Sequence, residues 1–247
     1  MRFEGRVALV TGGSRGIGRA IVKALAREGA VVHFLYRSAD DAAAALVREV
    51  EEAGGRPVGH KVDVTRHDEL KQAVDEIQRA HGRLDLLVNN AGINRDNLAL
   101  LMSVDEFRSV LETNLVSAFV LCQLAARQMM RRKSGAIVNM SSVAAHRPQV
   151  GHSNYACSKA ALEAFTVSLA KEVAPKGIRV NCVAPGVIET EMMQSLIEKR
   201  GEEYLRRIPQ ARYGTPDDVS DLCLYLLSDE ARYITGRSFA VDGGLGA

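Results

Sequence analysis

Short apolar, β-branched runs alternate with amphipathic stretches of helical period along the whole chain. Strands that alternate with helices of this length form right-handed βαβ units, so the sequence predicts a parallel sheet. The runs are apolar along nearly their whole length, which indicates helices on both faces of the sheet. The predicted strands are Arg6–Thr11, Ala30–Tyr36, Pro57–Val62, Leu84–Asn89, Gly135–Ser141, Ile178–Val183 and Arg237–Val241. The predicted helices are Gly16–Glu28, Asp40–Ala53, His67–His81, Val104–Arg132, Asn154–Val173 and Pro216–Leu227.

Composition and organisation narrow the class of protein. The 247 residues are 47% hydrophobic, and 32 basic side chains are balanced by 30 acidic ones. Such a balance lacks the strong basic bias of a general nucleic-acid binder, so we expect no nucleic-acid partner. No linker or internal repeat interrupts the alternation. The sequence therefore predicts one α/β domain over residues 1–247, doubly wound (Rossmann-type), with a parallel seven-stranded sheet.

The cysteines and apolar runs bear on location. The four cysteines form no Cys-x-x-Cys pair, and no apolar run approaches the ~20 residues of a membrane helix. No signal-peptide pattern opens the chain. We therefore expect a soluble protein of a reducing compartment, without a membrane partner: cytoplasmic, or of the mitochondrial matrix if the source is eukaryotic.

The stretch 185–213 breaks the alternation with a Pro-Gly pair, two methionines and a charged helical segment. Insertions at the carboxyl edge of such a sheet commonly cover ligands. Residues 187–207 are therefore predicted to form a substrate lid. An ordinary surface excursion is the alternative interpretation.

The first predicted strand ends in a glycine-rich turn that leads directly into the first helix. Its sequence is Thr11-Gly12-Gly13-Ser14-Arg15-Gly16-Ile17-Gly18. A turn without Cβ atoms lets backbone amides and the positive helix N-terminus approach a pyrophosphate. A glycine cluster alone could be a simple turn, but the strand before it and the helix after it favour a dinucleotide site.

The end of the second predicted strand indicates which dinucleotide binds. An acidic residue here would select the ribose hydroxyls of NAD, and Leu35-Tyr36-Arg37-Ser38 contains none. Arg37, helped by Arg15 and Ser38, can instead pair with a 2′-phosphate, which guanidinium groups bind in a bidentate manner. A solvated arginine is the alternative, but the missing acid favours NADPH.

Two further strand ends carry candidate cofactor contacts. Asp63 and Val64 follow the third predicted strand, where a carboxylate can accept a hydrogen bond from an adenine amino group. Asn90 lies in Asn89-Asn90-Ala91-Gly92 after the fourth, where small residues let backbone and amide groups face the cofactor. Asparagine and glycine also end strands for purely structural reasons.

A serine, a tyrosine and a lysine supply candidate chemistry. Tyr155 and Lys159 are four residues apart at the start of a predicted helix and so share one face. An ammonium near a phenol stabilises the phenolate, which predicts a lowered tyrosine pKa and a usable proton donor. Ser142, at the end of the fifth predicted strand, can hydrogen-bond a carbonyl oxygen. A surface Tyr/Lys pair is the alternative, but the glycine turn upstream favours chemistry.

With these motifs the sequence resembles the short-chain dehydrogenase/reductase family. The matching elements occur in the family's order and cover essentially the whole chain. They are TGGSRGIG (11–18), NNAG (89–92), Asn114, Ser142, YACSK (155–159) and PG (185–186).

The resemblance implies a role for each catalytic candidate. Tyr155 is implied to be the general acid, with Ser142 orienting the carbonyl. Lys159 is implied to bind the nicotinamide ribose and to tune Tyr155. Asn114 is implied to hold a water that connects Lys159 to solvent; without the resemblance, Asn114 is interpreted as a helix-interior residue bonded to backbone. The full predicted cofactor set is Gly12, Ser14, Arg15, Gly16, Ile17, Gly18, Arg37, Ser38, Asp63, Val64, Asn90, Tyr155, Lys159, Ile188 and Thr190.

Within the family the sequence is most similar to bacterial-type reductases of 3-oxoacyl thioesters on acyl carrier protein. The similarity is carried by AGINRDNL (91–98), VAPGVIETEM (183–192), IPQARYGTPDDV (208–219) and YITG…VDGG (233–244). It implies NADPH-dependent reduction of a 3-oxoacyl thioester, on acyl carrier protein or CoA, within fatty acid biosynthesis. The segment 145–149 is bulkier and more basic than the glycine-rich segment usual there. Another ketone, a quinone, a sugar or a steroid stays open as substrate, and so does a non-catalytic cofactor-binding subunit.

The apolar content of two predicted helices indicates contact with further subunits. The predicted helices 104–132 and 154–173 carry more apolar residues than one sheet face needs, and the resemblance implies a homotetramer. No ligand spacing supports a metal site, so His146 and His152 are interpreted as pocket or surface residues.

A group of basic residues is a candidate docking surface for an acidic carrier protein. We predict that this group lies beside the catalytic edge. The alternative is a positively charged helix C-terminus favoured by the macrodipole. The residues are Arg131, Arg132, Lys133 and Lys176.

Overall fold

A computed structural model shows seven parallel strands in one sheet, covered by helices on both faces. It describes the backbone of residues 1–247 and the side chains of all residues except Met192 and residues 195–200. The strands are β1 (Val7–Thr11), β2 (Val31–Tyr36), β3 (Arg56–Lys61), β4 (Leu86–Asn89), β5 (Gly135–Met140), β6 (Ile178–Pro185) and β7 (Ser238–Val241). Their order is β3-β2-β1-β4-β5-β6-β7, and neighbouring strands pair in parallel. The predicted fold class is confirmed.

The helices cover the sheet in two layers. They are α1 (Gly16–Arg27), α2 (Asp40–Glu52), α3 (His67–His81), α4 (Val104–Leu111), α5 (Ser117–Arg132), α6 (Ser153–Val173), α7 (Glu191–Arg207) and α8 (Pro216–Leu227). The helix predicted over 104–132 is divided by a π-helical turn, Glu112–Val116, which joins α4 to α5.

Strand β1 shows why the sheet requires both layers. Its side chains alternate between two separate hydrophobic clusters, Ala8 and Val10 in one and Val7 and Leu9 in the other. All four are at most 3% exposed. The first cluster includes residues of α1, α2 and α8, and the second includes residues of α3, α5 and α6. Burial on both faces explains the uninterrupted apolar run of the sequence.

Successive strands are added on one side of β1 as far as β3, and then on its other side from β4 to β7. The order therefore reverses between β1 and β4, and the helices that follow these two strands, α1 and α5, cover opposite faces of the sheet. In doubly wound sheets, ligands bind in the crevice outside the carboxyl ends of the strands at such a point. The glycine-rich turn follows β1 and the Asn-Asn-Ala-Gly segment follows β4, so both reach this crevice.

Among the described residues, one helical stretch, Val104–Arg132, is long and apolar enough to cross a membrane, although no such stretch is predicted from the apolar runs. Its most apolar window has a mean hydropathy of 1.4, and half of that window is buried inside the protein. Core helices of soluble proteins meet the same criterion. Several α5 residues, Leu121 and Met129 among them, belong to the second hydrophobic cluster.

The predicted lid, residues 187–207, corresponds to the connection after β6 together with α7. The two ends of this segment pack on each other: Val187, Tyr204 and Ile208 form a small cluster and are each at most 6% exposed. The side chains of Met192 and residues 195–200 lie outside the described part of the lid.

Candidate active site

The glycine-rich turn has a backbone that other residues would disrupt. Gly12 and Gly16 adopt φ values of +63° and +50°, in the left-handed region that favours glycine. A Cβ on Gly18 would lie 2.6 Å from Asn90 Nδ2 and would overlap the Gly12 carbonyl oxygen. The turn therefore packs directly on the end of β4 while α1 starts at Gly16.

Side chains at the ends of β1 and β4 tie the two strands together. Thr11 Oγ1 accepts hydrogen bonds from the backbone N–H groups of Asn90 and Ala91, at 2.9 and 2.8 Å. Asn90 Nδ2 donates in turn to the Thr11 and Gly12 carbonyls, at 2.9 and 3.2 Å. Asn90, predicted as a cofactor contact, thus also holds the glycine turn. Thr11 was not singled out from the sequence; its signal is a polar β-branched residue that closes an apolar strand.

Two adjoining cavities form one elongated cleft along the carboxyl edge of the sheet. The larger cavity has a volume of about 650 Å³ and the smaller about 300 Å³. Both are lined by Gly12, Arg15, Ala91 and Gly92, so they meet at the glycine turn. An extended ligand with two bulky ends fits this shape.

The predicted cofactor residues divide between the two cavities. The larger cavity is lined by Gly12, Arg15, Gly16, Ile17, Asn90, Tyr155, Lys159, Ile188 and Thr190, together with Ser142. The smaller cavity is lined by Gly12, Ser14, Arg15, Arg37, Ser38, Asp63 and Val64. Gly18 and Asn114 lie behind the cleft and line neither of these cavities.

The smaller cavity contains one ordered carboxylate. Asp63 Oδ1 accepts hydrogen bonds from Thr65, from the backbone N–H at 3.0 Å and from the hydroxyl at 2.8 Å. Burial alone would raise the pKa of Asp63, but the Thr65 hydrogen bonds and the nearby charges of Arg37 and Arg66 hold that pKa below its ordinary value. Asp63 is therefore an ionised acceptor at neutral pH.

Arg15 links the glycine turn to the start of α7. Its Nη1 lies 2.9 Å from Glu191 Oε2, and both side chains are more than half exposed. The Arg15 guanidinium, which was predicted to help Arg37 bind a 2′-phosphate, therefore faces α7. Arg15 also lines both cavities.

Tyr155 and Lys159 occupy one face of α6, as their spacing predicts, and point into the larger cavity. Lys159 is 3% exposed, and its Nζ donates to the Met140 carbonyl at 2.7 Å. The same nitrogen lies 5.5 Å from the centre of the Tyr155 ring. Burial lowers the pKa of Lys159 to about 8, because desolvation disfavours the ammonium.

The pKa of Tyr155 shifts in the direction opposite to the one predicted from the Tyr-x-x-x-Lys spacing. Burial raises this pKa, and a hydrogen bond with the Ser142 hydroxyl only partly opposes the shift. The prediction of a lowered pKa was wrong for the protein alone because it counted the lysine charge without the burial of the phenol. A raised pKa keeps the phenol protonated near neutrality, which is the form that can donate a proton.

Asn114 lies on the π-helical turn and is 2% exposed. Its Oδ1 accepts from the Ile93 N–H at 2.8 Å, and its Nδ2 donates to the Ile93 carbonyl and to Ser158 Oγ, both at 3.0 Å. A Cβ on Gly92 would lie 3.3 Å from Asn114 Oδ1 and 3.6 Å from Lys159 Nζ. Asn114 therefore bonds to backbone. Because residue 92 is a glycine without a side chain, a space stays free beside it, and Asn114 and Lys159 both border this space. Wide turns of this kind occur frequently at functional sites.

The two histidines that flank the site each pair with one carboxylate. His146 Nε2 lies 2.7 Å from Glu163 Oε2, and His152 Nε2 lies 3.3 Å from Asp96 Oδ1. Among the residues whose side chains are described, no group of three or more His, Cys, Asp or Glu is arranged to hold a metal ion.

The basic residues lie at the opposite edge of the sheet from the site, so their predicted position was wrong. Lys133 follows the last residue of α5 and lies two residues before the start of β5, and Lys176 lies two residues before the start of β6. Tyr155 and Ser142 lie instead at the carboxyl end of β5, a strand of six residues or about 20 Å. The reason is topological: each helix returns the chain to the amino edge before the next parallel strand.

A doubly wound parallel sheet with a glycine turn at its switch point, and with Ser142, Tyr155 and Lys159 in the adjoining cavity, defines an oxidoreductase that uses a nicotinamide cofactor. The family model described as enoyl-(acyl carrier protein) reductase matches residues 12–246. The chain belongs to the short-chain dehydrogenase/reductase family.

Curated relatives match over nearly their whole length. The chain is 43% identical to the 3-oxoacyl-[acyl-carrier-protein] reductase FabG of Chlamydia pneumoniae over 98% of this chain and 97% of that protein. It is 42% identical to the protein of the same name from Thermotoga maritima over 99% of both. The protein of that name from Staphylococcus aureus is 43% identical over 96% of this chain and 97% of its own length.

Solved structures share the whole fold. A short-chain type dehydrogenase/reductase from Mycobacterium ulcerans superimposes with a TM-score of 0.95 at 31% identity, covering 100% of this chain and 91% of that one. A putative gluconate dehydrogenase from Agrobacterium tumefaciens gives a TM-score of 0.96 at 32% identity, covering 99% and 97%.

Proposed function

We propose that the protein reduces the keto group of a 3-oxoacyl thioester to the 3-hydroxyacyl thioester with NADPH. The observation that carries the proposal is the convergence of Ser142, Tyr155 and Lys159 in the larger cavity, next to the glycine turn. The names of the curated relatives support the choice of substrate.

The elongated cleft fits a nicotinamide dinucleotide. The glycine turn, where the cavities meet, receives the pyrophosphate, since backbone without Cβ atoms and the start of α1 approach it there. The smaller cavity takes the adenosine end, with Asp63 as an acceptor for the adenine amino group. Arg37 and Ser38 line the same cavity without a competing acid at the tip of β2, which favours a 2′-phosphate and hence NADPH. When bound, the nicotinamide supplies the hydride.

Tyr155 supplies the proton. As the carbonyl carbon gains a hydride, its oxygen gains negative charge and takes the proton of the Tyr155 hydroxyl, so the C=O bond becomes a C–OH group. Ser142 donates a hydrogen bond to the same oxygen and stabilises the developing charge. The raised pKa of Tyr155 keeps this proton in place until the oxygen becomes basic.

Lys159 replaces the proton that Tyr155 loses. Its pKa of about 8 lets the amine both hold and release a proton near neutral pH. Asn114 and Lys159 border the space beside Gly92, and we assign this space to the path by which protons return from solvent. Lys159 also lies where it can bind the nicotinamide ribose.

The larger cavity supplies an apolar wall for the acyl chain. Met140, Pro185, Ile188 and Met193 line it, and the last two belong to the predicted lid. We assign residues 187–207 to covering the substrate, within a single catalytic domain over residues 1–247.

The substrate is carried on acyl carrier protein or CoA, and the functional assembly is a homotetramer in the cytoplasm. Apolar side chains that are 40% or more exposed on α5 and α6, Phe119, Met130 and Val167, support contact with further subunits. Because Lys133 and Lys176 lie at the far edge of the sheet, they cannot guide an acidic carrier to the site of their own subunit.

A substrate panel tests this proposal. Purified protein is assayed with NADPH and with NADH against acetoacetyl-CoA, acetoacetyl-acyl carrier protein, a diketone, a quinone and a steroid ketone. We expect the highest kcat/KM for an acetoacetyl thioester with NADPH. Faster reduction of another ketone would assign the protein to a different branch of the family, and no ketone reduction at all would indicate a non-catalytic subunit.

Another carbonyl or secondary alcohol is the second candidate. The likeness to a protein titled putative gluconate dehydrogenase supports a sugar acid, and the exposed guanidinium of Arg147, in the loop after β5, offers positive charge to one. Including 5-ketogluconate in the panel separates this candidate from the first.

A further inference from the structure

Three successive turns of α6 lie against three successive residues at the end of β5. Lys159 Nζ donates to the Met140 carbonyl at 2.7 Å, and Tyr155 lines the larger cavity together with Ser142. Between them, Ser141 Oγ donates to Glu163 Oε1 at 2.7 Å. Glu163 lies four residues after Lys159 and so continues the face that carries the chemistry. Its side chain is only 12% exposed.

Glu163 holds the chain on both sides of Ser142. On the amino side it accepts from Ser141, and on the carboxyl side its Oε2 lies 2.7 Å from His146 Nε2. Ser238 of β7 donates to Glu163 Oε1 at 2.8 Å, which adds the neighbouring edge of the sheet. One carboxylate therefore joins the catalytic helix to the end of β5, to the loop after it and to β7.

We propose that Glu163 is a positioning residue that fixes Ser142 relative to Tyr155. The inference rests on the proposed function, because it assigns Ser142 the task of binding the substrate oxygen. A hydroxyl that must reach a carbonyl oxygen and a phenol at once tolerates little displacement, and a shift of 1 Å can reduce a rate by about 100-fold. Glu163 lines neither cavity of the cleft, so it acts through Ser142 and not on the substrate.

Two substitutions of Glu163 separate the loss of its charge from the loss of its three hydrogen-bond links, to Ser141, His146 and Ser238. Glu163→Ala removes all three links, and we expect kcat to fall about tenfold with the dissociation constant of NADPH unchanged. Glu163→Gln keeps an oxygen that accepts from both serines and an amide that donates to His146, so we expect kcat within about threefold of wild type. Glu172→Ala, at an exposed position farther along α6, is the matched control and should have no effect.

A double-mutant cycle with Ser142→Ala tests the route of action. Rates are measured in single turnovers on a ketone that the wild type reduces, with NADPH binding and Tm recorded for each variant. We expect Glu163→Ala to slow the wild type about tenfold and the Ser142→Ala protein less than twofold. Equal losses in both backgrounds, no loss in either, or a loss explained by lower Tm and weaker NADPH binding would overturn the proposal.

Two outcomes separate the role of Glu163 from the reduction of a ketone by the wild type. If the wild type reduces the ketone and the effects of Glu163→Ala and Ser142→Ala are additive, only the role of Glu163 is contradicted. A wild type that reduces no ketone contradicts the function, and the positioning role fails with it.

Discussion

The two cavities of the cleft are built in different ways. Around the larger one, Lys159, Asn114 and Ser158 are each at most 3% exposed, and each is hydrogen-bonded to another segment or along its own helix. In the smaller one, Arg37 and Ser38 are exposed at the end of β2. The difference indicates that the chemistry depends on a buried, interlocked set of groups, whereas cofactor choice depends on exposed side chains that can change without disturbing the core.

The largest effect is expected in the larger cavity. Lys159→Met should lower kcat by about 100-fold or more, because the proton donor loses its supporting ammonium. Lys171→Met, at an exposed position on the same helix, is the control and should leave kcat unchanged. Steady-state assays with saturating NADPH measure kcat of both variants. Equal activity of the two would contradict the dependence of the chemistry on the buried groups around the larger cavity.

In the smaller cavity, reversing the charge of Arg37 should change the preference for NADPH over NADH without changing the catalytic step. Arg37→Asp should reduce the ratio of kcat/KM for NADPH over NADH roughly 10- to 100-fold, since hydrogen bonds to charged groups contribute about 1.5–3 kcal/mol. Arg66→Asp is the matched control, because Arg66 also faces Asp63 but does not line the cavity. An unchanged ratio for Arg37→Asp would show that Arg37 does not bind the 2′-phosphate.

The burial of Lys159 should appear in the pH dependence of stability. Its pKa is lowered from 10.5 to about 8, so below pH 8 the amine is charged in both states and the folded state bears the cost of burying the charge. Above that pH the folded state loses the proton first, and stability rises by up to about 1.4 kcal/mol per pH unit until the unfolded pKa is passed. The free energy of unfolding of the wild type should therefore rise relative to Lys159→Met between pH 8 and 10.5. A constant difference between the two proteins would contradict the lowered pKa.

The smallest effect is expected where the cavities meet. Arg15→Gln removes an exposed ion pair with Glu191, and such pairs contribute about 0.2–1 kcal/mol. We expect KM for NADPH to change less than about fivefold. Arg19→Gln, which removes the pair between α1 and Glu49 away from the cleft, is the control. A change of 100-fold for Arg15→Gln would assign Arg15 a direct role in binding the 2′-phosphate.

Local sequence patterns sufficed for the fold and for much of the candidate site. The alternation of strands and helices predicted the sheet, and the glycine turn and the Tyr-x-x-x-Lys spacing act over a few residues of one element. Parallel strands bring their carboxyl ends together, so the sequence alone predicts that Ser142, Asn90 and Asp63 lie at one edge of the sheet.

What sequence patterns missed depends on tertiary context. The direction of the Tyr155 pKa shift follows from burial by the whole site. Glu163 joins segments as distant as Ser238, and nothing in its own helix indicates those partners. The position of Lys133 was in principle predictable, because it lies two residues before a strand, and strand starts lie at the edge opposite the site.

In the proposed reaction, Tyr155 protonates the keto oxygen of a 3-oxoacyl thioester while NADPH is oxidised. Product analysis on acetoacetyl thioester with wild type and Tyr155→Phe tests it most directly. We predict one 3-hydroxybutyryl thioester per NADPH consumed by the wild type, and a rate roughly 10²- to 10⁴-fold lower for Tyr155→Phe with NADPH binding retained. Near-normal turnover by Tyr155→Phe, or NADPH oxidation by the wild type without hydroxyacyl product, would contradict it.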